Sequence, residues 1–121
     1  MKKLNKKGFT LLEIMIVVAI IGVLTSVVFV QFVGYRTRSY NTSAQTDLRT
    51  VATAQEAYFL ETSTYTATLG NLMSTSYGVG ISNGVVMPIL SADANGYTMQ
   101  AYHTSGNVTY TLSNPGGKIT N

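Results

Sequence analysis

A single carboxylate at the start of a long apolar run is the feature that most constrains this chain. No charged residue occurs from Ile14 to Tyr35, and Glu13 is the only charge between Lys7 and Arg36. The run is long enough for a membrane-spanning helix, which needs about 20 mostly apolar residues. Because a carboxylate inside such a segment is costly in lipid, we expect Glu13 to have a functional role.

Two simpler interpretations explain only part of this pattern. An ordinary secretory signal has a shorter apolar region followed by a small-residue cleavage site, and nothing resembling that site follows Val30. A plain signal anchor accounts for the apolar run and the basic residues before it, but it explains neither Glu13 nor the Gly8–Phe9 junction. The lysines before the run predict a cytoplasmic N-terminus; they are Lys2, Lys3, Lys6 and Lys7.

The segment Lys-Gly-Phe-Thr-Leu-Leu-Glu, followed by Ile-Met-Ile-Val-Val-Ala-Ile-Ile-Gly-Val-Leu, resembles the class III signal of type IV pilins and pseudopilins. The likeness is dense over residues 6–35 and looser as far as Tyr65. It implies that a membrane-embedded aspartyl peptidase, the prepilin peptidase, cuts between Gly8 and Phe9 and leaves the apolar segment in place. It also implies methylation of the new Phe9 amine and an assembly role for Glu13.

Elementary chemistry supports the pairing that the resemblance implies. In a helix that starts at Phe9, Glu13 lies one turn along on the same face. A lone buried carboxylate is expensive, and the N-terminal ammonium of a neighbouring subunit would neutralise it. The resemblance thus implies a salt bridge between the Glu13 carboxylate and the Phe9 ammonium of a neighbouring subunit. This salt bridge would hold neighbouring subunits at a fixed axial offset.

The chain departs from the family pattern at two points. Val30 stands where pilins commonly carry a proline, and it can donate the backbone N–H that proline lacks. We therefore predict a continuous helix through Ser26–Val30, with any unwinding in a filament confined to Gly22–Val28. The chain also has no cysteine, so the disulfide-closed loop of many pilins is absent.

Charge and composition exclude several function classes. Four of the eight basic residues lie before Gly8. Cleavage there would leave four basic side chains against five acidic ones, a net of −1. A basic nucleic-acid interface is therefore not expected. The region after the apolar run is instead rich in Ser, Thr, Asn, Gly and Tyr.

The pattern predicts an α+β fold in which a small antiparallel sheet covers one long helix, as in pilins. Spacings of three, four and seven indicate an amphipathic helix after the apolar run. Its apolar positions are Tyr40, Ala44, Leu48, Val51, Ala52, Tyr58 and Phe59, whereas Arg36, Arg38, Asp47, Arg49, Glu56 and Glu61 lie at polar positions.

Three strands are predicted beyond a connecting loop, which itself contains a short helical turn around Leu69–Ser74. The strands are Val85–Ser91, at an edge because of Pro88, then Tyr97–Thr104 and Val108–Ser113. The chain then has four predicted parts: a leader at residues 1–8, an apolar filament-core helix at 9–35, an amphipathic helix at 36–62, and the loop and sheet at 63–121.

No catalytic or cofactor site is predicted. His103 is the only histidine, and its alternation with Tyr97, Met99 and Ala101 predicts a structural or surface role. The carboxylates are too scattered for acid–base catalysis or a metal site. No Asp or Glu follows Asp93, whereas type II secretion pseudopilins typically hold calcium near the C-terminus with carboxylates. This difference favours a pilus subunit over a secretion pseudopilin.

Aromatic residues are spread along the predicted helix, and we predict that several of them lie in the core of the filament. The candidates are Phe29, Phe32, Tyr35, Tyr40 and Phe59. Their placement resembles the short aromatic-rich pilins of metal-respiring bacteria, for which electron conduction has been proposed. The alternative, which we favour, is that these rings bury area between packed helices.

The resemblance implies the major structural subunit of a type IV pilus, a helical homopolymer serving adhesion and motility. Its expected partners are the prepilin peptidase, the assembly platform and an external ATPase. The subunit would wait in the inner membrane and then enter an extracellular filament. A pseudopilin of a secretion or competence system is the alternative. A membrane-anchored extracytoplasmic binding protein is a third class, which an uncleaved leader and a monomeric state would indicate.

Overall fold

The computed structural model describes residues 8–121, so most of the predicted leader lies outside the described residues. Helix α1 is Leu11–Thr62, 52 residues long. It contains no proline and runs without a break through Ser26–Val30, as predicted from Val30. The β-branched residues of this stretch lower helix propensity by only a few tenths of a kcal/mol each, so they do not interrupt the helix.

Contacts divide the chain into two compact units, with the boundary after Tyr35. In the first unit, the large apolar side chains of α1 are exposed, from Val17 at 50% to Leu11 at 79%. The apolar part of α1 is long and hydrophobic enough to cross a membrane. An apolar surface of this kind requires lipid or protein around it.

The second unit is Arg36–Asn121, and α1 contributes one buried stripe to it. Ala44, Leu48 and Val51 are completely buried at spacings of four and three. This confirms the predicted amphipathic pattern. Asp47 is an exception to that prediction, because the structure buries it rather than leaving it on the polar face.

A short helix and a sheet cover this stripe. The short helix α2 is Leu69–Leu72, where the sequence predicted a helical turn. Five strands follow: β1 Val85–Val86, β2 Ile89–Ala92, β3 Tyr97–His103, β4 Thr109–Asn114 and β5 Ile119–Thr120. All pairings are antiparallel, in the order β1-β3-β4-β5 with β2 also beside β3.

The predicted α+β architecture is confirmed, but the strand count differs in two places. Met87 and Pro88 divide the predicted first strand into β1 and β2, because proline has no N–H for the ladder. Both pieces still pair along the same edge of β3, which agrees with the predicted edge position of Pro88. The sheet continues beyond the turn after Asn114, because Ile119 of β5 pairs with Leu112 of β4.

The inner sheet face completes the core. Tyr97, Met99, Ala101 and His103 lie on one face of β3, as their spacing predicted, and the structure shows that all four are buried. Opposite Met99 in the register lies Leu112, which is 5% exposed. Burying each large apolar side chain of this kind contributes about 1.5–3 kcal/mol before the entropy of ordering it is subtracted.

Candidate functional site

The residues around the predicted cleavage point form a defined start to α1. The Thr10 amide donates a 2.7 Å hydrogen bond to Glu13 Oε2, and the Glu13 amide donates to Thr10 Oγ1 at 3.2 Å. The Thr10 hydroxyl also donates to Glu13 Oε2 at 3.1 Å. These reciprocal bonds are a capping box, which satisfies amides that the first helical turn leaves without partners.

Thr10 is a residue that the sequence analysis missed, although the signal was present. A Ser or Thr followed three residues later by Glu, just before an apolar run, is the sequence signature of a capping box. The capping box also changes the surroundings of the Glu13 carboxylate. In the single subunit, the Glu13 carboxylate already accepts two hydrogen bonds from Thr10.

The Gly8–Phe9 peptide bond lies ahead of the helix in an irregular segment. Phe9 is 85% exposed, and a side chain at Gly8 would meet no atom within 4 Å. Exposed irregular backbone of this kind is the preferred site of proteolytic cleavage. The predicted pairing of Glu13 with a neighbour's Phe9 involves a second subunit and stays a prediction.

The five predicted filament-core aromatics fall into two groups. Phe29, Phe32 and Tyr35 are more than half exposed, at 67%, 56% and 63%. Tyr40 instead stacks on His103 with ring centroids 4.3 Å apart, and Phe59 stacks on Tyr65 at 4.6 Å. Tyr40 and Phe59 therefore have stacking partners within the subunit.

His103 has a structural role in which both ring nitrogens are used. The Ser105 amide donates to Nδ1 at 2.9 Å, so Nδ1 must be the unprotonated nitrogen. Nε2 therefore carries the hydrogen and donates to the Asn83 carbonyl at 3.1 Å. This neutral tautomer connects the turn after β3 to the loop before β1.

Three polar side chains on α1 point inward and hold loops. Gln55, fully buried, donates from Nε2 to the Thr66 carbonyl at 2.7 Å and accepts from the Thr66 amide at 3.0 Å. Asp47, 7% exposed, accepts from the Ser82 amide at 2.7 Å and from its hydroxyl at 3.1 Å. These bonds explain why a residue predicted at a polar helix position is buried.

The third inward polar residue is Asn41, which forms a two-way pair with Asn107. Its Nδ2 donates to Asn107 Oδ1 at 2.8 Å, and its Oδ1 accepts from the Asn107 amide at 3.1 Å. A side chain on neighbouring Gly106 would displace Asn41 Oδ1 from this hydrogen bond, which favours glycine at the close approach. Asn41 therefore fixes the β3–β4 turn against α1.

Tyr65 and Tyr97 form a tyrosine cluster in the globular unit. The Tyr65 ring meets Tyr97 edge-on at 4.8 Å, and its hydroxyl donates to Glu56 at 3.1 Å. Burial raises the pKa of Tyr97 to about 12, with a smaller contribution from the negative charge of Glu56. Burial likewise raises the pKa of Tyr65, and its hydrogen bond to Glu56 raises it further.

A second tyrosine–carboxylate pair joins Tyr77 to Glu61 of α1. The Tyr77 hydroxyl donates to Glu61 at 2.5 Å, and this bond raises the pKa of Tyr77 to about 12.

Residues 8–121 contain no group of three His, Cys, Asp or Glu side chains that could hold a metal ion.

Comparison with known proteins adds to this geometry. Residues 3–29 match the family model described as the prokaryotic N-terminal methylation motif. The chain is 36% identical over 104 residues to the type IV wide pilus major component PilA4 of Thermus thermophilus, covering 86% of this chain and 79% of that protein.

Two further relatives are a secretion-system protein and another pilin. The type II secretion system core protein G of Escherichia coli is 33% identical over 114 residues, covering 93% of this chain and 74% of that protein. The type IV major pilin protein PilA of Myxococcus xanthus is 43% identical over 61 residues, which span 50% of this chain and 28% of that longer protein. These relatives are filament or secretion-system components, and none is an enzyme.

Proposed function

Because the chain belongs to the type IV pilin superfamily, we propose that it is the major structural subunit of a type IV pilus. The observation that carries this proposal is the likeness to a major pilus component over 79% of that protein's length. The exposed apolar part of α1 supports it, since this surface suits lipid before assembly and neighbouring helices after it.

In this proposal, prepilin peptidase cuts the Gly8–Phe9 bond and the Phe9 amine is then methylated. The exposure of Phe9 and the open surroundings of Gly8 support access to the bond. Thr10 and Glu13 form their capping box on the far side of the cut, so the start of the helix survives cleavage. Cleavage removes residues 1–8 with four lysines and creates a new ammonium group four residues before Glu13.

Assembly then pairs Glu13 with the Phe9 ammonium of a neighbouring subunit. In lipid, the two hydrogen bonds from Thr10 reduce the cost of the Glu13 carboxylate but do not neutralise its charge. A neighbour's ammonium does, and it adds a charge-assisted bond. Repetition of the same head-to-tail contact produces an open helical filament.

The proposed route begins in the inner membrane and ends at the cell surface. The assembly platform and its ATPase would supply the energy, and adhesion and motility are the proposed uses of the filament. The aromatic placement favours packing over electron conduction, because Tyr40 and Phe59 already stack on rings of their own subunit.

A type II secretion pseudopilin is the second candidate, supported by relatives described as type II secretion system core protein G. The positions of the acidic residues argue against the pseudopilin. A hard cation such as Ca²⁺ takes several oxygen ligands, usually with carboxylates among them, and no Asp or Glu follows Asp93. The pilus proposal does not require such a site.

Sheared surface filaments test the proposal directly. Intact mass of the main filament protein should show loss of residues 1–8 and one added methyl group. A filament protein that begins at Met1, or beyond Val30, would contradict both the processing and the pilin function. Filaments that form only as short periplasmic structures, together with a secretion defect in the deletion strain, would support the pseudopilin instead.

A further inference from the structure

The exposed side of α1 in the globular unit carries two opposite charges that the subunit does not pair with each other. Arg49 and Glu56 are both exposed. They lie seven residues apart in one helix, which is about 10.5 Å along its axis and close to two full turns. The two side chains therefore project from nearly the same side of α1. Among residues 8–121, the Arg49 guanidinium has no hydrogen-bond or ion-pair partner.

Glu56, by contrast, is held in position by the globular unit. Its Oε1 accepts from Asn114 Nδ2 at 2.8 Å, and its Oε2 accepts from the Tyr65 hydroxyl at 3.1 Å. An ionised carboxylate has about four acceptor sites, so further sites are open to a donor outside the subunit. The Glu56 carboxylate is therefore positioned in advance for a cation that approaches the exposed side of α1.

The helix surface beside the two charges does not need a polar partner. The Thr50 hydroxyl donates to the Thr46 carbonyl at 3.1 Å, and the Thr53 hydroxyl donates to the Arg49 carbonyl at 3.1 Å. Because the helix itself satisfies these hydroxyls, another protein could cover them without burying unpaired donors.

The pattern of charge identifies the partner as a second copy of this chain. An anionic lipid, a nucleic acid or an acidic peptide would be attracted by Arg49 but repelled by Glu56 on the same side of the helix. A second copy carries both charges at the same spacing. If it is parallel and displaced by about two helical turns, its Arg49 lies beside Glu56 of the first copy. Each further copy repeats this contact without closing a ring.

The displacement agrees with the one that the proposed pairing of Phe9 with Glu13 requires. Those residues are four apart, which is about 6 Å at the rise of a helix. One screw operation displaces every residue of an identical subunit by the same axial distance. The two displacements differ by about 4.5 Å, which the long side chain of arginine can span. In both contacts the cation precedes the anion in the sequence, so the direction of displacement is also the same.

We propose that Arg49 of each subunit forms a salt bridge with Glu56 of a neighbouring subunit in the filament. This inference rests on the proposed pilus function and adds a second ionic contact to it. Glu13 and Phe9 would pair the apolar segments, whereas Arg49 and Glu56 would pair the globular units. Complementary charges of this kind select one register between subunits, because a wrong register places like charges together.

Charge variants in cells without wild-type subunits test the proposal, with filament protein measured as a fraction of total subunit. Arg49→Glu places two carboxylates at the contact and should lower this fraction about tenfold or more, because like charges face each other. Arg49→Glu combined with Glu56→Gln removes the repulsion and should recover the fraction seen for Arg49→Gln. Arg49→Lys keeps the positive charge and should assemble better than Arg49→Gln.

Two controls make the result specific. Lys118→Glu changes the net charge by the same amount at another exposed position and should assemble like the wild type. Melting of the full chain in micelles should show that the Arg49 variants stay folded, since the Arg49 side chain has no partner within residues 8–121. Glu56→Gln keeps one acceptor oxygen for Asn114 or Tyr65 and should stay folded as well. The order of the three Arg49 variants does not depend on Glu56→Gln.

Three results would overturn the salt bridge and leave the pilus function standing, since wild-type filaments would still form. They are full assembly by Arg49→Glu, an equal loss in Lys118→Glu, and no recovery in a folded double variant. Recovery of Arg49→Glu by Glu61→Gln but not by Glu56→Gln would also overturn it, because Arg49 would then face a different carboxylate. Absence of filaments from the wild type would overturn the proposed function and this contact together.

Discussion

The two halves of α1 share one backbone geometry but differ in what surrounds them. From Ile14 to Tyr35 the helix has no charged residue, and its large side chains are exposed. From Arg36 onward, the helix carries charges on one side and a completely buried stripe around Leu48 on the other. The first half therefore depends on partners outside the chain, whereas the second half is covered by its own sheet and loops.

This difference separates assembly from stability. Side chains of the first half make few contacts within the subunit, so substitutions there should change membrane insertion or filament formation and leave the globular unit folded. Substitutions in the second half should change the stability of the globular unit. The following predictions test that separation, beginning with the largest expected effect.

Glu13→Ala should nearly abolish filaments while leaving a processed subunit in the membrane. The substitution removes the proposed partner of the neighbour's Phe9 ammonium, and the isolated segment becomes easier to accommodate in lipid. Piliation is counted by electron microscopy in cells without wild-type subunits, and processing is followed by mass. The melting temperature of the globular unit, measured on the full chain in micelles, should not change. Normal piliation by this variant would refute the assembly role.

Leu112→Asp should unfold the globular unit. Leu112 lies opposite Met99 on the inner sheet face, and a carboxylate there would be buried without a partner at a cost of several kcal/mol. Loss of the cooperative near-ultraviolet melting transition is the expected result, with the α-helical signal of the apolar half retained. Ser113→Asp is the matched control, because the adjacent side chain faces solvent. Equal melting curves for both variants would mean that the sheet faces are assigned wrongly.

Asp47→Ala should destabilise the globular unit by about 1–3 kcal/mol, since it leaves the Ser82 amide without its acceptor. Asp47→Asn keeps one acceptor oxygen and should fall between the wild type and Asp47→Ala. Thr53→Ala, on the exposed side of the same helix, should change the free energy of unfolding by less than about 0.5 kcal/mol. Equal denaturation midpoints for Asp47→Ala and Thr53→Ala would show that the loop before β1 does not depend on Asp47.

Periodicity was sufficient to predict the helix and which residues of β3 share a face, because patterns of 3.6 and 2 residues are local. The inward polar residues were not predictable in the same way. Asp47 and Asn41 are buried because they bind residues 35 and 66 positions away, and no local pattern records such a pairing. Strand β5 was missed for a similar reason, since two residues gain strand geometry only by pairing with β4. At the N-terminus, by contrast, the capping box of Thr10 and Glu13 was readable from the sequence.

Alkaline pH should weaken the globular unit through its tyrosines and leave the apolar half unaffected. The pKa of Tyr97 is raised to about 12, first by burial, against about 10 in an unfolded chain. Below about pH 10, both states keep the proton and stability is unchanged. As pH rises from about 10 to about 12, the unfolded tyrosine ionises first, so stability falls across that window.

Melting temperatures of the full chain in micelles between about pH 8 and about pH 12 measure this fall. Tyr97→Phe cannot ionise and should lose less stability across the window than the wild type, with the two proteins compared at pH 8 as the reference. Tyr77→Phe should act in the same direction, because the hydrogen bond to Glu61 raises the pKa of Tyr77 to about 12. Its effect should be the smaller one, since this pair is more exposed and solvent screens it more strongly. An identical pH dependence in the wild type and Tyr97→Phe would show that ionisation elsewhere in the unit limits its alkaline stability.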